Sequence, residues 1–234
     1  MNAERGGDML EVLEQKQMLV DAILMLERAQ IIDFNGHFSV RAGDGRHMLI
    51  NSGKSVRSAL TVDDIVAIDF EGKLVEGDAA PPMEFHIHAE LYRRRPEVGA
   101  VVHTHPLWST LLGMVGAPVL PVIMQAAVLG EIRSFHKTAS INNRVLAAEL
   151  ADAMGQARVA TLKSHGAVVA AEGILEAFVL AVYLEETAQR QYMALQVGTP
   201  AVLAPEQLTA IQANLWKPHL LQKVWDYHRA KLVR

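Results

Sequence analysis

The chain has 234 residues, half of them hydrophobic and 21% charged, and this composition predicts a folded protein with a sizeable core. The net charge of −4 argues against nucleic acid as a partner, and the lack of a basic, apolar leader or of a long apolar run favours a cytoplasmic protein with no membrane partner. There is no cysteine, so any metal must be bound by His, Asp or Glu.

The first part of the chain is predicted to form one long helix followed by hairpins. Residues 1–8 are polar and are expected to be irregular, and apolar residues then recur at helical spacing. Asp44-Gly45 and Glu71-Gly72 are turn signals, each between two short strands. Strands joined by such turns indicate a mixed or largely antiparallel sheet. The predicted elements are a helix at 10–29 and strands at 38–41, 47–50, 65–70 and 73–75.

In the second part, helices and strands alternate. Pro81-Pro82 is predicted to open a helix that ends before Pro96, because proline suits the first helical turn. No repeat or linker divides the chain, so we predict a single α/β domain over residues 1–234. The predicted helices are 83–94, 108–114, 142–155, 174–195 and 206–215, the strands are 98–103, 157–163 and 167–171, and 119–123 is extended.

Three histidines stand at the ends of predicted strands. His103 and His105 follow an apolar strand, and side chains two residues apart on a strand point to the same face. His165 follows a second apolar strand and precedes Gly166, which permits a sharp turn. Any one of them alone would more often be a packed histidine. Together, three neutral imidazoles predict a catalytic metal site with an open coordination position.

Glu84 lies at the start of the proline-capped helix. A carboxylate there is stabilised by the helix dipole, which is an ordinary structural role. The alternative is a fourth metal ligand or a general acid/base. His88 lies one turn later on the same face, and we interpret it as a packed, hydrogen-bonded residue rather than a ligand.

Residues 15–195 contain an ordered set of motifs, namely Gly36-x-x-Ser39-x-Arg41, Ser52-Gly53, Glu84-x-x-x-His88, His103-x-His105 and Ser164-His165-Gly166. This set resembles the class II aldolase/adducin family. The resemblance implies an αβα three-layer fold with a central, mostly antiparallel sheet. It implies that His103, His105 and His165 hold a divalent metal and that Glu84 is the acid/base. It also implies a homotetramer with active sites at subunit interfaces, and segment 200–234 is expected to pack on a neighbouring subunit.

The sequence departs from the family's sugar-phosphate aldolases at positions that concern the substrate. Their Ser-Ser pair before the glutamate, which helps to hold phosphate, is replaced here by Pro82 and Met83. The asparagine of their Gly-Asn-x-Ser turn is His37. These departures predict a substrate with carboxylates instead of phosphate. The chain resembles the decarboxylase branch of the family more closely than it resembles the sugar-phosphate aldolases. The enzymes of that branch act on hydroxy-methylpyridine dicarboxylate and dihydroxyphthalate.

The sequence therefore predicts a metal-dependent carbon–carbon lyase, favouring a decarboxylase of a hydroxy-aromatic (benzene or pyridine) dicarboxylate. The cofactor is one divalent ion, zinc or manganese, although three imidazoles also accept iron or cobalt. A class II aldolase cleaving a ketose or ketose phosphate is the alternative, and a non-enzymatic adducin-like interaction domain is a more remote one. The residues predicted to contact the substrate are His37, Ser39, Arg41, Ser52 and Gly53.

Overall fold

Eight strands form one sheet with helices on both faces. This structure is a computed structural model that describes the backbone of residues 2–232 and the side chains of residues 10–232. The helices are α1 (Asn2–Arg28), α2 (Phe85–Arg94), α3 (Leu107–Met114), α4 (Arg144–Met154), α5 (Ile174–Leu195), α6 (Pro205–Leu215) and α7 (Pro218–Arg229). The strands are β1 (His37–Arg41), β2 (His47–Asn51), β3 (Ile65–Asp69), β4 (Leu74–Glu76), β5 (Ala100–Thr104), β6 (Ile132–Phe135), β7 (Val159–Leu162) and β8 (Gly166–Ala171).

The sheet has the strand order β4-β3-β2-β1-β5-β8-β7-β6. Within the described residues, β6 and β7 are the only parallel neighbours, and all other neighbouring strands are antiparallel. The predicted three-layer fold with a mostly antiparallel sheet is therefore confirmed. No helix within residues 2–232 has the length and hydropathy of a membrane span.

Alternation along the central strands divides the core into two layers. Val102 of β5 belongs to the core that contains α1 and α5, whereas Val101 belongs to the core that contains α2 and α4. In β1, Phe38 belongs to the α1 and α5 layer. Its neighbours His37 and Ser39 therefore point toward α2, and this side of the sheet carries a polar stripe.

Several element bounds differ from the sequence prediction. Helix α1 already begins at Asn2, where an irregular segment was expected. Helix α2 begins at Phe85, two residues later than predicted, and Glu84 is its N-cap. Strand β6 was missed because Arg133 and Ser134 are exposed at the sheet edge, which removes the apolar pattern. Segment 119–123 was predicted only as extended, and it joins no strand of the sheet.

Candidate metal centre

The structure brings four predicted residues together on the α2 side of the sheet. His103 lies in β5, His105 directly follows it, His165 lies in the turn between β7 and β8, and Glu84 caps α2. One nitrogen or oxygen atom of each lies within 4.8 Å of the others. Together these four residues form a group that could hold a metal ion, and we call this group the metal centre.

The Ser164-His165-Gly166 turn places the third histidine beside the other two. Ser164 has a φ of +54°, a left-handed conformation that reverses the chain tightly. A Cβ at Gly166 would lie 2.1 Å from the carbonyl oxygen of Thr104, so only glycine lets β8 approach β5 this closely. As a result, the ring centroids of His105 and His165 are 5.1 Å apart.

Hydrogen bonds fix the orientation of two of these rings. Nδ1 of His103 donates to the carbonyl oxygen of Ala167 at 3.0 Å, and Nδ1 of His105 donates to the Asp33 carboxylate at 3.0 and 3.1 Å. In neutral rings, both Nε2 atoms then carry lone pairs, and these atoms are only 3.0 Å apart. Burial lowers the pKa of His103 to about 3, so Nε2 of this ring carries no proton at neutral pH. The donor set therefore fits a metal cation.

Glu84 presents one free oxygen to this group. Its Oε1 accepts hydrogen bonds from the Ile141 amide at 2.6 Å and the Ser140 hydroxyl at 3.0 Å. Its Oε2 lies 3.4 Å from Nε2 of His103 and 3.7 Å from Nε2 of His165. Burial raises the pKa of Glu84, but the surrounding histidines outweigh it, so the net shift is downward and the carboxylate is ionised.

Two of the predicted substrate residues have polar atoms available. His37 is 1% exposed, and its Nε2 lies 3.9 Å from Oε2 of Glu84. Nε2 of His37 and Oγ of Ser52 are buried and have no hydrogen-bond partner among the described residues. A buried polar atom of this kind is costly unless something binds it, so both are candidates for ligand contacts.

Arg41 does not reach the site, contrary to the prediction. It stands at the opposite end of β1 from His37, where its guanidinium donates to the carbonyl oxygens of Val98, Tyr92 and Arg95 at 2.8 to 3.0 Å. These bonds hold the loop before β5, and they leave Arg41 far from any substrate carboxylate at the metal centre.

The polar groups of Ser39 and Gly53 are also engaged elsewhere. The Ser39 hydroxyl is fully buried between His88 and Tyr92, and the Gly53 amide donates to the carbonyl oxygen of Ala80 at 2.9 Å. Neither group is free to bind substrate directly. The two hydrogen bonds of His88 confirm its interpretation as a packed, hydrogen-bonded residue.

Sequence reasoning missed Asp33 and Arg57. Asp33 is separated from His105 by 72 positions, and no motif links them. Arg57 is 3% exposed, and it donates to the carbonyl oxygens of Gly36 at 2.6 Å and Ser52 at 3.3 Å. It thereby joins the turn before His37 to the loop that carries Ser52. A single arginine in a polar loop gave no signal of this burial.

The fold and the site define a protein class. Residues 17–192 match the sequence profile of the Class II Aldolase and Adducin N-terminal domain. The chain belongs to this family, whose enzymes include lyases.

Curated relatives with different activities are similar to this chain. The 5-methylthioribulose-1-phosphate/5-deoxyribulose-1-phosphate aldolase of Rhodospirillum rubrum is 34% identical over 182 residues, covering 75% of this chain and 79% of the relative. The 3,4-dihydroxyphthalate decarboxylase of Terrabacter sp. is 28% identical over 214 residues, covering 84% and 88%. A solved L-fuculose 1-phosphate aldolase superposes with a TM-score of 0.77 at 26% identity, covering 86% of this chain and 96% of that one.

Proposed function

We propose that the chain is a metal-dependent decarboxylase of a hydroxy-aromatic dicarboxylate. The observation that carries the proposal is the ionised Glu84 carboxylate, held by one oxygen and facing three histidines with the other. Relatives of both the decarboxylase and the aldolase type break a carbon–carbon bond, and a positioned carboxylate beside a metal site suits that chemistry.

His103, His105 and His165 would hold one divalent cation, zinc or manganese, with iron or cobalt also compatible with imidazole ligands. When bound, the cation supplies a Lewis acid that withdraws electrons from a substrate oxygen. The hydrogen bonds of His103 and His105 to Ala167 and Asp33 keep their Nε2 atoms directed at this position.

Glu84 moves the proton. Ile141 and Ser140 hold Oε1, so Oε2 is left to take the proton of the ring hydroxyl and deliver it to the ring carbon that bears the departing carboxylate. The carbon–carbon bond then breaks, carbon dioxide leaves, and the bonding pair returns to the ring oxygen. A proton from water restores the hydroxyl.

The second carboxylate of the substrate is assigned to His37 and Ser52, whose buried polar atoms have no partner among the described residues. The buried guanidinium of Arg57 beside Ser52 adds a positive charge to this region. Pro82 and Met83 precede Glu84 and offer no side-chain donor, which disfavours a phosphate group.

The test is an assay for carbon dioxide release from a panel of hydroxy-benzene and hydroxy-pyridine dicarboxylates. The purified protein is supplied with zinc or manganese, and a chelated sample is the control. Metal-dependent release is the expected result. If no compound releases carbon dioxide with either metal, the decarboxylase assignment is wrong.

A second candidate is an aldolase that cleaves a ketose or ketose phosphate. The observation in its favour is the 34% identity to the Rhodospirillum rubrum aldolase, which exceeds the 28% identity to the Terrabacter decarboxylase. Glu84 would again move the proton, here to or from a substrate hydroxyl or carbon. Aldehyde release from a parallel panel of ketoses and ketose phosphates tests this candidate.

We also infer that the active protein is a homotetramer with its sites at subunit interfaces, as the family resemblance implies. In the isolated chain, Met83 and Leu107 are 72% and 62% exposed, and they lie next to Glu84 and close to His105 in sequence. Large apolar side chains exposed beside a polar site are typical of an interface. Within the described residues, one face of α7 packs on the chain's own core through Trp225 and His228, so only the exposed face of segment 200–232 would contact the neighbouring subunit.

A further inference from the structure

Four buried side chains form a continuous hydrogen-bonded chain that starts beside the metal centre. Nδ1 of His37 lies 2.6 Å from Nε2 of His88, whose Nδ1 lies 2.6 Å from Oγ of Ser39. The same Oγ lies 2.7 Å from the hydroxyl of Tyr92. Each of the four residues is at most 2% exposed. The mechanism above uses only His37, and we call Tyr92, Ser39 and His88 the buried relay.

The hydrogen bonds along the buried relay can all point toward His37 or all point toward Tyr92. Burial lowers the pKa of His88 well below its ordinary value, so its ring is neutral, with one N–H and one lone pair. If it donates from Nε2 to His37, it accepts at Nδ1 from Ser39. If it donates from Nδ1 to Ser39, it accepts at Nε2 from His37. The Ser39 hydroxyl accepts from Tyr92 in the first case and donates to Tyr92 in the second.

The end at the metal centre favours donation toward His37. Nε2 of His37 lies 3.9 Å from Oε2 of the Glu84 carboxylate, whose other oxygen already accepts two hydrogen bonds. An N–H on that nitrogen attracts the carboxylate, whereas a lone pair repels it. A neutral His37 with its proton on Nε2 must accept at Nδ1, so His88 must donate to it.

The inner end favours the same direction. With the relay pointing toward His37, the Tyr92 hydroxyl donates to Ser39 at 2.7 Å. In the reverse direction, it would have to donate to the carbonyl oxygen of Gly99 at 3.5 Å, which is the limit of a hydrogen bond. The 2.7 Å contact with Ser39 is the stronger hydrogen bond of the two. Both ends of the relay therefore favour donation toward His37.

We propose that the buried relay fixes His37 in the tautomer that carries its proton on Nε2, so that an N–H donor faces the substrate. The three relay residues are then positioning residues that set which substrate groups bind beside Glu84. Acceptors such as a carboxylate oxygen are favoured, and a group that can only donate is disfavoured. The contact with substrate rests on the proposed function, whereas the tautomer does not.

Neutron diffraction of the zinc-loaded, deuterium-exchanged protein tests the tautomer directly. We expect deuterium on Nε2 of both His37 and His88, with the Ser39 hydroxyl deuterium directed toward His88 and the Tyr92 hydroxyl deuterium directed toward Ser39. Deuterium on Nδ1 of His37 instead of Nε2 would overturn the proposal. This measurement needs neither a variant nor a known substrate, so it remains decisive if the protein proves not to be a lyase.

Kinetics of His88 variants test the consequence for binding, using the most active compound of the two panels. His88→Leu removes the donor to His37. We expect KM to rise ~10-fold, because the hydrogen bond from His37 to the substrate is weakened, while kcat stays within ~3-fold of the wild-type value. His88→Gln keeps an N–H donor and should recover most of the lost affinity.

The matched control is Ile87→Val, which trims a fully buried neighbour on the same helix and leaves every polar group of the relay in place. It should leave KM unchanged. If His88→Leu has the KM of the wild type, or if His88→Gln and Ile87→Val raise KM as much as His88→Leu does, the positioning role is wrong.

Discussion

Asp33 contacts the candidate metal centre through a single histidine. Its carboxylate accepts from Nδ1 of His105, a contact that fixes the ring and increases the basicity of Nε2. We predict that Asp33→Asn lowers zinc affinity by ~10- to 100-fold, the usual effect of losing such a partner. Competition with a chromophoric chelator measures the affinity.

The matched control for this prediction is Asp44→Asn. Asp44 also binds Nδ1 of a histidine, His47, in a partly exposed pair away from the metal centre. Its replacement should leave zinc affinity unchanged. Equal affinities in the Asp33 variant and the wild type would show that the contact with His105 does not support metal binding.

Glu84 is predicted to move a proton and not to be needed as a ligand. Glu84→Gln should retain near-normal zinc content and lower turnover by ~100-fold or more, because the amide cannot carry the proton. Metal analysis and the rate on the best substrate are measured together, with Glu97→Gln as the control at a more exposed carboxylate bound by Arg95. Loss of zinc would show instead that Glu84 is a ligand.

Among individual site residues, those that belong to a short motif can be predicted from the sequence. His103 lies in β5 and His105 directly follows this strand two positions later, so their convergence follows from extended-chain geometry. Asp33 and Arg57 act through contacts between distant segments, and neither has a local pattern that marks it. Arg41 belongs to the motif that also contains Ser39, but strand rise along β1 carries it away from the site, and the motif alone does not show this.

The β5–β8 pair shapes the metal centre through a glycine. A Cβ at Gly166 would lie 2.1 Å from the Thr104 carbonyl oxygen and 2.9 Å from Cδ2 of His105. Gly166→Ala should therefore destabilise the fold by roughly 1–3 kcal/mol and weaken zinc binding. Chemical unfolding and chelator competition measure the two effects.

Gly113 provides the contrast, because an added Cβ there meets no atom within 4 Å and the residue lies inside α3. Gly113→Ala should be neutral or stabilising by up to ~1 kcal/mol through helix propensity. If both alanine variants unfold at the wild-type denaturant concentration and bind zinc normally, close packing at Gly166 does not matter.

Helix α7 carries a pH-dependent contribution to stability. His228 packs edge-on against Phe178, and burial lowers its pKa to about 4. The unfolded chain takes up this proton below about pH 6.5, but the folded chain does so only near pH 4, so the contribution is complete above pH 6.5 and is lost as the pH falls toward 4.

Between pH 7 and pH 5, the wild type should accordingly lose about 1–2 kcal/mol more unfolding free energy than His228→Gln does. Urea unfolding at the two pH values measures this difference. His219→Gln alters an exposed histidine of the same helix and should retain the wild-type pH dependence. Identical losses in the wild type and His228→Gln would contradict the prediction.

Elements with strong periodicity are predicted well. The helix predicted at 174–195 is confirmed as α5 with the same bounds, since a long apolar repeat is followed by a polar, proline-containing break. The start of α2 shifted because Glu84 is held outside the helix by Ser140 and Ile141, a contact between distant segments. Such contacts decide element ends, and no local pattern reports them.

For the molecule as a whole, the inferred tetramer predicts a mass in solution. Light scattering after size exclusion should give four times the 25.7 kDa of one chain. Met83→Glu places a charge on a 72% exposed side chain beside the site and should both dissociate the assembly and lower activity. A wild-type monomer with full activity would rule out a shared site.

The histidines of the metal centre are held in place by the protein itself. Hydrogen bonds to Ala167 and Asp33 orient His103 and His105. The pairing of β8 with β5 places His165 beside them. Chain segments far apart in sequence must therefore meet before three donors exist in one place. Metal binding would then follow folding, as the last step in the maturation of a newly synthesised chain. Protein synthesised during metal scarcity would accumulate as intact apoprotein and become active on later supply, without a new round of synthesis.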